Sequence, residues 1–407
     1  MLKATRVFHQ VLCLSEAKGM DIIMKIRPVW AEINLDNLAH NIKEIKRITN
    51  SKEIMAVVKA DAYGHGALEC SEVLLENGVN SLAVAVITEA ISLRKQGIKA
   101  PIMVLGYTPE EYAEEVVEYD IQPAIYDIKS AVRLCEVAER KGKKVRIHVA
   151  IDTGMGRIGF LCKEESFQEI EKINNLNNIE IYGLFSHFFS ADEEDRRYAD
   201  DQFEKFMRCC DILCERGIKP KLRHIANSAA VIGMPQMHLD NVRPGIILYG
   251  YYPSSAVNHN LISLKPVMEI KARIGCIKLL SKDMYVSYGR TYKTERDTMV
   301  AILPIGYADG YSRLLTNKGK VIVNGKLAHI IGRICMDQCM IDVTGNEPIN
   351  MGDEVTILGG EGDVHWDADD IAKVCGTISY EVLSTIGKRI PRVYIKNNEI
   401  VRVKNYI

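Results

Sequence analysis

Between residues 54 and 243 the sequence sets eight short apolar runs apart by longer amphipathic segments, and this alternation constrains the fold more than anything else in the chain. The runs are Ile54–Val58, Ser81–Val86, Ile102–Leu105, Gln122–Ile125, Val145–Ile151, Ile179–Phe185, Leu222–Ala226 and a weaker Asn241–Arg243. Runs of this length are too short for core helices and read as buried strands. The intervening stretches 67–76, 87–96, 109–118, 129–141, 163–174 and 195–216 carry helical periodicity. Eight such units in about 200 residues predict an α/β chain built on a closed (β/α)₈, TIM-like barrel rather than an open doubly wound sheet. No Gly-x-Gly-x-x-Gly follows the first run, so a dinucleotide-binding sheet loses its main support.

After about residue 263 the texture changes to short β-rich pieces punctuated by Gly and Asn, such as TMVAILPIG and KVIVNGKLAHIIGRI, with helical patterns only at 368–374 and 380–388. The expected organisation is an extension over residues 1–27, a barrel over 28–262 and a mainly β domain over 263–407. The extension has early basic residues, but its apolar middle is broken by His9 and Gln10, so it reads as an extension or as an early start before Met20 or Met24 rather than a secretory signal. At 407 residues the chain is long enough to bury its core without staples.

Fifty-two basic residues against 53 acidic ones remove the field that drives non-specific nucleic-acid binding, and no apolar run reaches 18 residues. Neither a nucleic acid nor a membrane is expected as partner. Eleven cysteines cannot all pair within one chain, and no Cys-x-x-Cys occurs. Reduced thiols in a cytoplasmic setting follow. Cys335, Asp337 and Cys339 share a strand face by simple alternation and lack a histidine at ligand spacing, so no metal site is expected.

Barrel enzymes keep their working residues at the carboxyl ends of the strands. Lys59 closes the first run and precedes ADAYGHG. Held at a buried strand end, a lysine loses hydration and becomes a candidate Schiff-base nucleophile, although a lysine snorkelling to solvent fits the position alone at least as well. In the fifth run, Arg146, His148, Ala150 and Asp152 alternate onto one face, which gives the lumen unusual polarity. Arg157 follows in DTGMGRIG as a possible carboxylate partner. The seventh run ends HIANSAA, with Asn227 or Ser228 capping a helix, and the next reads VRPGIILYG, where Gly245 permits close backbone approach. A phosphate cradle there and an amine at Lys59, at one end of one barrel, together suggest pyridoxal phosphate. His187, Tyr288, Tyr307 and Tyr380 would each pass, taken singly, for ordinary structural residues.

From about Arg27 onward the chain also resembles the alanine racemase family of barrel-type pyridoxal-phosphate enzymes. VWAEINLDNL, AVVKADAYGHG, DTGMGRIGF, NSAA, RPGIILYG, VSYGRTY, PIGYADGY, GRICMDQ and GTISYEVL stand in that family's order. The resemblance implies a cytoplasmic homodimer that interconverts L- and D-alanine and supplies D-alanine for peptidoglycan. It implies Lys59 as cofactor-bearing residue and one catalytic base, and Tyr288 of the partner subunit as the other. Tyr63, Asn227, Ser228, Gly245, Ile246 and Tyr380 would hold the cofactor, Arg243 would face its ring nitrogen, and His187 would link Arg243 to Tyr288. Arg157 and Met336 would bind the substrate carboxylate, and Tyr307 would narrow the entrance. One departure stands out. Many family members carry, seven positions before this arginine, a lysine that becomes carbamylated; here the position is Ala150. That leaves a serine or broad-specificity racemase of the same fold as the alternative.

Overall fold

The computed structural model describes residues 27–407; the expected extension lies almost wholly outside them. Two compact units divide the chain, one of residues 37–265 and one in which residues up to 36 join 266–407.

In the first unit the eight strands are Glu53–Val57, Ser81–Val84, Ile102–Val104, Gln122–Ile125, Val145–Asp152, Ile179–Phe185, Leu222–His224 and Asn241–Val242. All pair in parallel, the eighth beside the first. The seventh and eighth are joined by Asp240 N–H to Arg223 O (3.2 Å) and Arg243 N–H to Ala226 O (2.9 Å), so the sheet is an all but closed barrel. The helix Ile128–Arg140 shows how the outer layer forms. Asp127 accepts the Ser130 amide at 2.8 Å as its cap, and Ala131, Leu134, Val137 and Ala138 are buried at helical spacing. Each such side chain contributes roughly 1–3 kcal/mol by leaving water.

A helix not expected from the run pattern, Leu35–Ile48, buries Leu38, Asn41, Ile42 and Ile45. The Asn41 amide bridges Leu248 O (3.0 Å) and Lys265 O (2.8 Å). Cys162 and Cys209 are joined as a disulfide, which corrects the expectation that every thiol is reduced.

The second unit is a mainly antiparallel sheet. Its notable member is the strand Val29–Asn34, assigned to the barrel from its place in the sequence. It lies antiparallel to Met268–Arg273 and parallel to Arg392–Lys396. Alternate residues Val29, Ala31 and Ile33 are buried, as are Met268, Ile270 and Ala272 across the ladder. Next to the strand, Arg27 forms an ion pair with Asp309, a fully buried carboxylate that also accepts the Gly306 amide (3.1 Å). The helical pieces are Ala368–Cys375 and Ser379–Ser384, the latter shorter than its periodicity predicts. Among the described residues, no helix is long and apolar enough to cross a membrane, and no cluster fit to hold a metal ion is present.

Candidate active site

Lys59 stands half-buried where the first barrel strand ends. Loss of water holds its amine below the ordinary lysine range, the Arg157 charge adds to this, and Glu89 opposes it. The chain then makes a left-handed turn, with φ between 52° and 55° at Ala60, Asp61, Ala62 and Tyr63. None of these is glycine, and such a conformation costs roughly 1–2 kcal/mol per residue. Local bonds hold it: Ala62 N–H to Val58 O (2.9 Å), Gly66 N–H to Asp61 O (2.8 Å), and Ala67 N–H to the Asp61 carboxylate (2.8 Å). Glu89, which the sequence reading passed over, accepts from the amides of Ala60 (2.6 Å), Ala85 (2.9 Å) and Val86 (3.2 Å). One carboxylate thus ties the start of the turn to the end of the second strand.

The turn delivers Tyr63 against the eighth βα loop. Its ring packs on Tyr249 with centroids 4.8 Å apart, and burial pushes its phenol upward, so it stays protonated. Gly245 leaves the space for it: a Cβ there would lie 2.7 Å from the Tyr63 hydroxyl and 3.8 Å from Ser228 Oγ. Ser228 Oγ accepts the Gly245 amide at 2.8 Å, which leaves the hydroxyl hydrogen for another acceptor. Asn227 is the helix cap, accepting the Ala230 amide at 3.1 Å. Ile246 is fully buried and opens a short 3₁₀ turn.

Arg243 projects from just beyond the eighth strand and is 4% exposed. It donates to His224 Nδ1 (2.6 Å), Ser186 O (2.6 Å), Ile225 O (3.3 Å) and His187 Nδ1 (3.3 Å). Burial, with the Arg157 charge, brings its pKa down to about 9, so it remains a cation near neutrality. Burial and the neighbouring guanidinium hold His187 at about 3, an uncharged acceptor. Arg157 is exposed. Lys59, Tyr63, His187, Asn227, Ser228, Arg243, Gly245 and Ile246 thus all stand on the carboxyl-end segments of one barrel.

The remaining expected residues belong to the other unit. Tyr288 is 70% exposed on a tight 3₁₀ turn, between Ser287 and Gly289 at positive φ. Ser287 donates to Arg333 O (2.5 Å), and its hydroxyl lies 3.6 Å from Cys335 Sγ. The Tyr307 amide donates to Cys335 O (3.1 Å) and the Ala308 amide to Met336 O (3.0 Å), which join the PIGYADGY and GRICMDQ segments. A side chain at Gly306 would collide with both carbonyls. Tyr288, Tyr307 and Met336 therefore stand on loops that are fastened together through residues 333–336. Tyr380 is half-buried on the helix Ser379–Ser384 of the same unit.

One chain thus carries a parallel barrel with an amine at a strand end and a cation network behind it, and a mainly antiparallel β sheet. The alanine racemase N-terminal domain model matches residues 33–253, and the C-terminal domain model matches residues 267–394. The chain belongs to the alanine racemase family. It is 53% identical over 388 residues to an alanine racemase of Clostridium perfringens strain SM101, covering 95% of this chain and all of that one. Among solved structures it resembles an alanine racemase of Clostridium difficile 630, with TM-score 0.89, 44% identity, and 93% and 99% of the two chains covered. It also resembles a histidine racemase of Leuconostoc mesenteroides, with TM-score 0.84, 30% identity, and 91% and 98% covered.

Proposed function

We propose that the chain interconverts L- and D-alanine with pyridoxal phosphate, as a cytoplasmic homodimer, and so supplies D-alanine for peptidoglycan. The observation that carries the reading is that Lys59 and the close cluster of Tyr63, Ser228 and Gly245 stand at the same end of the barrel. A desolvated amine and a small-residue cradle roofed by Tyr63 and Ser228 stand on one end of the barrel. The residues fit the cofactor. Lys59 would hold it covalently, Tyr63, Asn227, Ser228, Gly245, Ile246 and Tyr380 would surround its phosphate, and Arg243 would meet its ring nitrogen. When bound, the cofactor supplies an electron sink that acidifies the substrate Cα–H.

Arg243 stays charged and would keep a ring nitrogen facing it unprotonated, tempering the sink and limiting side reactions. Racemisation needs a proton removed from one face of Cα and one delivered to the other. Lys59 Nζ would serve one face and the Tyr288 hydroxyl of the partner subunit the other. His187, uncharged and accepting from Arg243 through Nδ1, carries its proton on Nε2 and would donate to that phenol oxygen. Arg157 and the Met336 amide would bind the substrate carboxylate, and Tyr307 would narrow the entry.

A visible absorption band of a lysine-bound pyridoxal cofactor, together with D-alanine production, tests the reading; both should vanish in Lys59→Ala. Retention of the band in that variant would remove the assignment. A serine or broader racemase is the second reading, and Ala150 favours it, because Arg157 loses the orienting lysine of many relatives. An anion or water is expected beside Arg157 instead. Initial rates on L-alanine, L-serine and L-lysine separate the two readings.

A further inference from the structure

Behind Arg243 the barrel lumen holds a chain of hydrogen bonds that nothing in the proposed chemistry uses. His224 Nε2 lies 2.9 Å from His148 Nδ1, and His148 Nε2 lies 2.9 Å from Gln122 Oε1. All three side chains are at most 3% exposed, and they come from the seventh, fifth and fourth strands. A guanidinium can only donate, so His224 Nδ1 must accept from Arg243. An uncharged His224 then carries its proton on Nε2 and donates to His148 Nδ1. His148 in turn carries its proton on Nε2 and needs an acceptor beyond it. Gln122 Oε1 is that acceptor. Burial beside Arg243 keeps both rings uncharged. Turned over, the Gln122 amide would set donor against donor at one link of the chain. The fold also reserves room for this arrangement, since any side chain at Gly183 would run into the His148 ring.

We infer that Gln122 is a positioning residue that, as the terminal acceptor for the tautomers Arg243 imposes, anchors His148 and His224 and thereby the direction in which Arg243 presents its guanidinium. The chain of donors depends on no bound group. Only its effect on the cofactor rests on the reading that Arg243 meets the ring nitrogen.

The test is nitrogen NMR on histidine-labelled apoprotein at neutral pH, with Gln122→Met and Gln122→Glu beside the parent chain. The parent should show His148 and His224 each as a single Nε2–H tautomer. Gln122→Met keeps the bulk and removes the acceptor, so His148 should keep its tautomer while its Nε2–H signal loses its hydrogen-bonded shift. Gln122→Glu keeps an acceptor oxygen and should restore it, an outcome that packing alone does not predict. Either ring in the Nδ1–H form in the parent, or an unchanged His148 Nε2–H shift in Gln122→Met, would overturn the inference. Should Gln122→Met not fold, the parent and Gln122→Glu spectra still decide it. In cofactor-loaded protein, Gln122→Met should shift the absorption band and lower turnover about tenfold, and Gln122→Glu should reverse both. A parent that binds no pyridoxal phosphate yet shows both tautomers would refute the cofactor reading and leave this inference standing.

Discussion

Gly245 is the floor beneath the Tyr63 hydroxyl: a single added methyl there would lie 2.7 Å from that oxygen. Gly245→Ala should therefore weaken pyridoxal phosphate binding by at least about tenfold, roughly 1.4 kcal/mol, as read by titration of the apoprotein. Unchanged affinity would place the phosphate elsewhere.

Glu89 carries a second prediction. Three backbone amides converge on its carboxylate, and a glutamine would turn an NH₂ toward one of them. Glu89→Gln should lose about 2 kcal/mol of stability. It should also slow cofactor capture by Lys59, whose turn begins at one of those amides. Urea unfolding and the rate of appearance of the visible band measure the two effects.

The lumen histidines set the acid limit. His148 is held at about 3 in the folded chain, against about 6.5 when unfolded. The unfolded chain binds the extra proton, so stability is unaffected above pH 6.5 and falls as pH drops from there toward 3. Each such ring adds at most about 1.4 kcal/mol per pH unit to the slope. In His148→Gln the slope of unfolding free energy between pH 6 and 4 should be shallower by about that amount. An unaltered slope would mean that His148 is not buried in its uncharged form.

In the β unit, Asp309 is fully buried and is paired with Arg27 and with Arg389 (3.4 Å). Asp309→Asn removes the charge that both guanidinium groups share. A loss of about 2–4 kcal/mol is expected, seen as an earlier thermal transition. Salt should not rescue it, because the carboxylate is out of water.

How far the sequence disclosed these features follows from which of them are local. The barrel strands were legible because a strand buried on both faces must be apolar throughout, as Ile54–Val57 is. Lys59, Ser228 and Gly245 were legible because strand ends and small residues mark the working end of a barrel. Residues 29–34 were placed with the barrel by chain order alone; the strand they form has partners more than 230 positions away, which chain order does not disclose. Glu89 was missed because its three amides come from backbone, which has no letter in a sequence. His224 was passed over within HIANSAA because its meaning lies in its neighbours His148 and Arg243, drawn from other strands. The Cys162–Cys209 pairing was hidden by a count that excludes a complete set of bridges but not a single one.

The first strand of the described chain belongs to the sheet that the last strands complete, with residues 37–265 forming a unit of their own in between. In topological terms the barrel is an insertion within the β unit. During synthesis Val29–Asn34 leaves the ribosome long before its partners and must stand unpaired until Met268–Arg273 and Arg392–Lys396 follow. The barrel can therefore mature while translation is still under way, and the β unit only at its end. A fragment of residues 37–265 is then the one to express alone, whereas residues 266–407 would carry an open slot in mid-sheet.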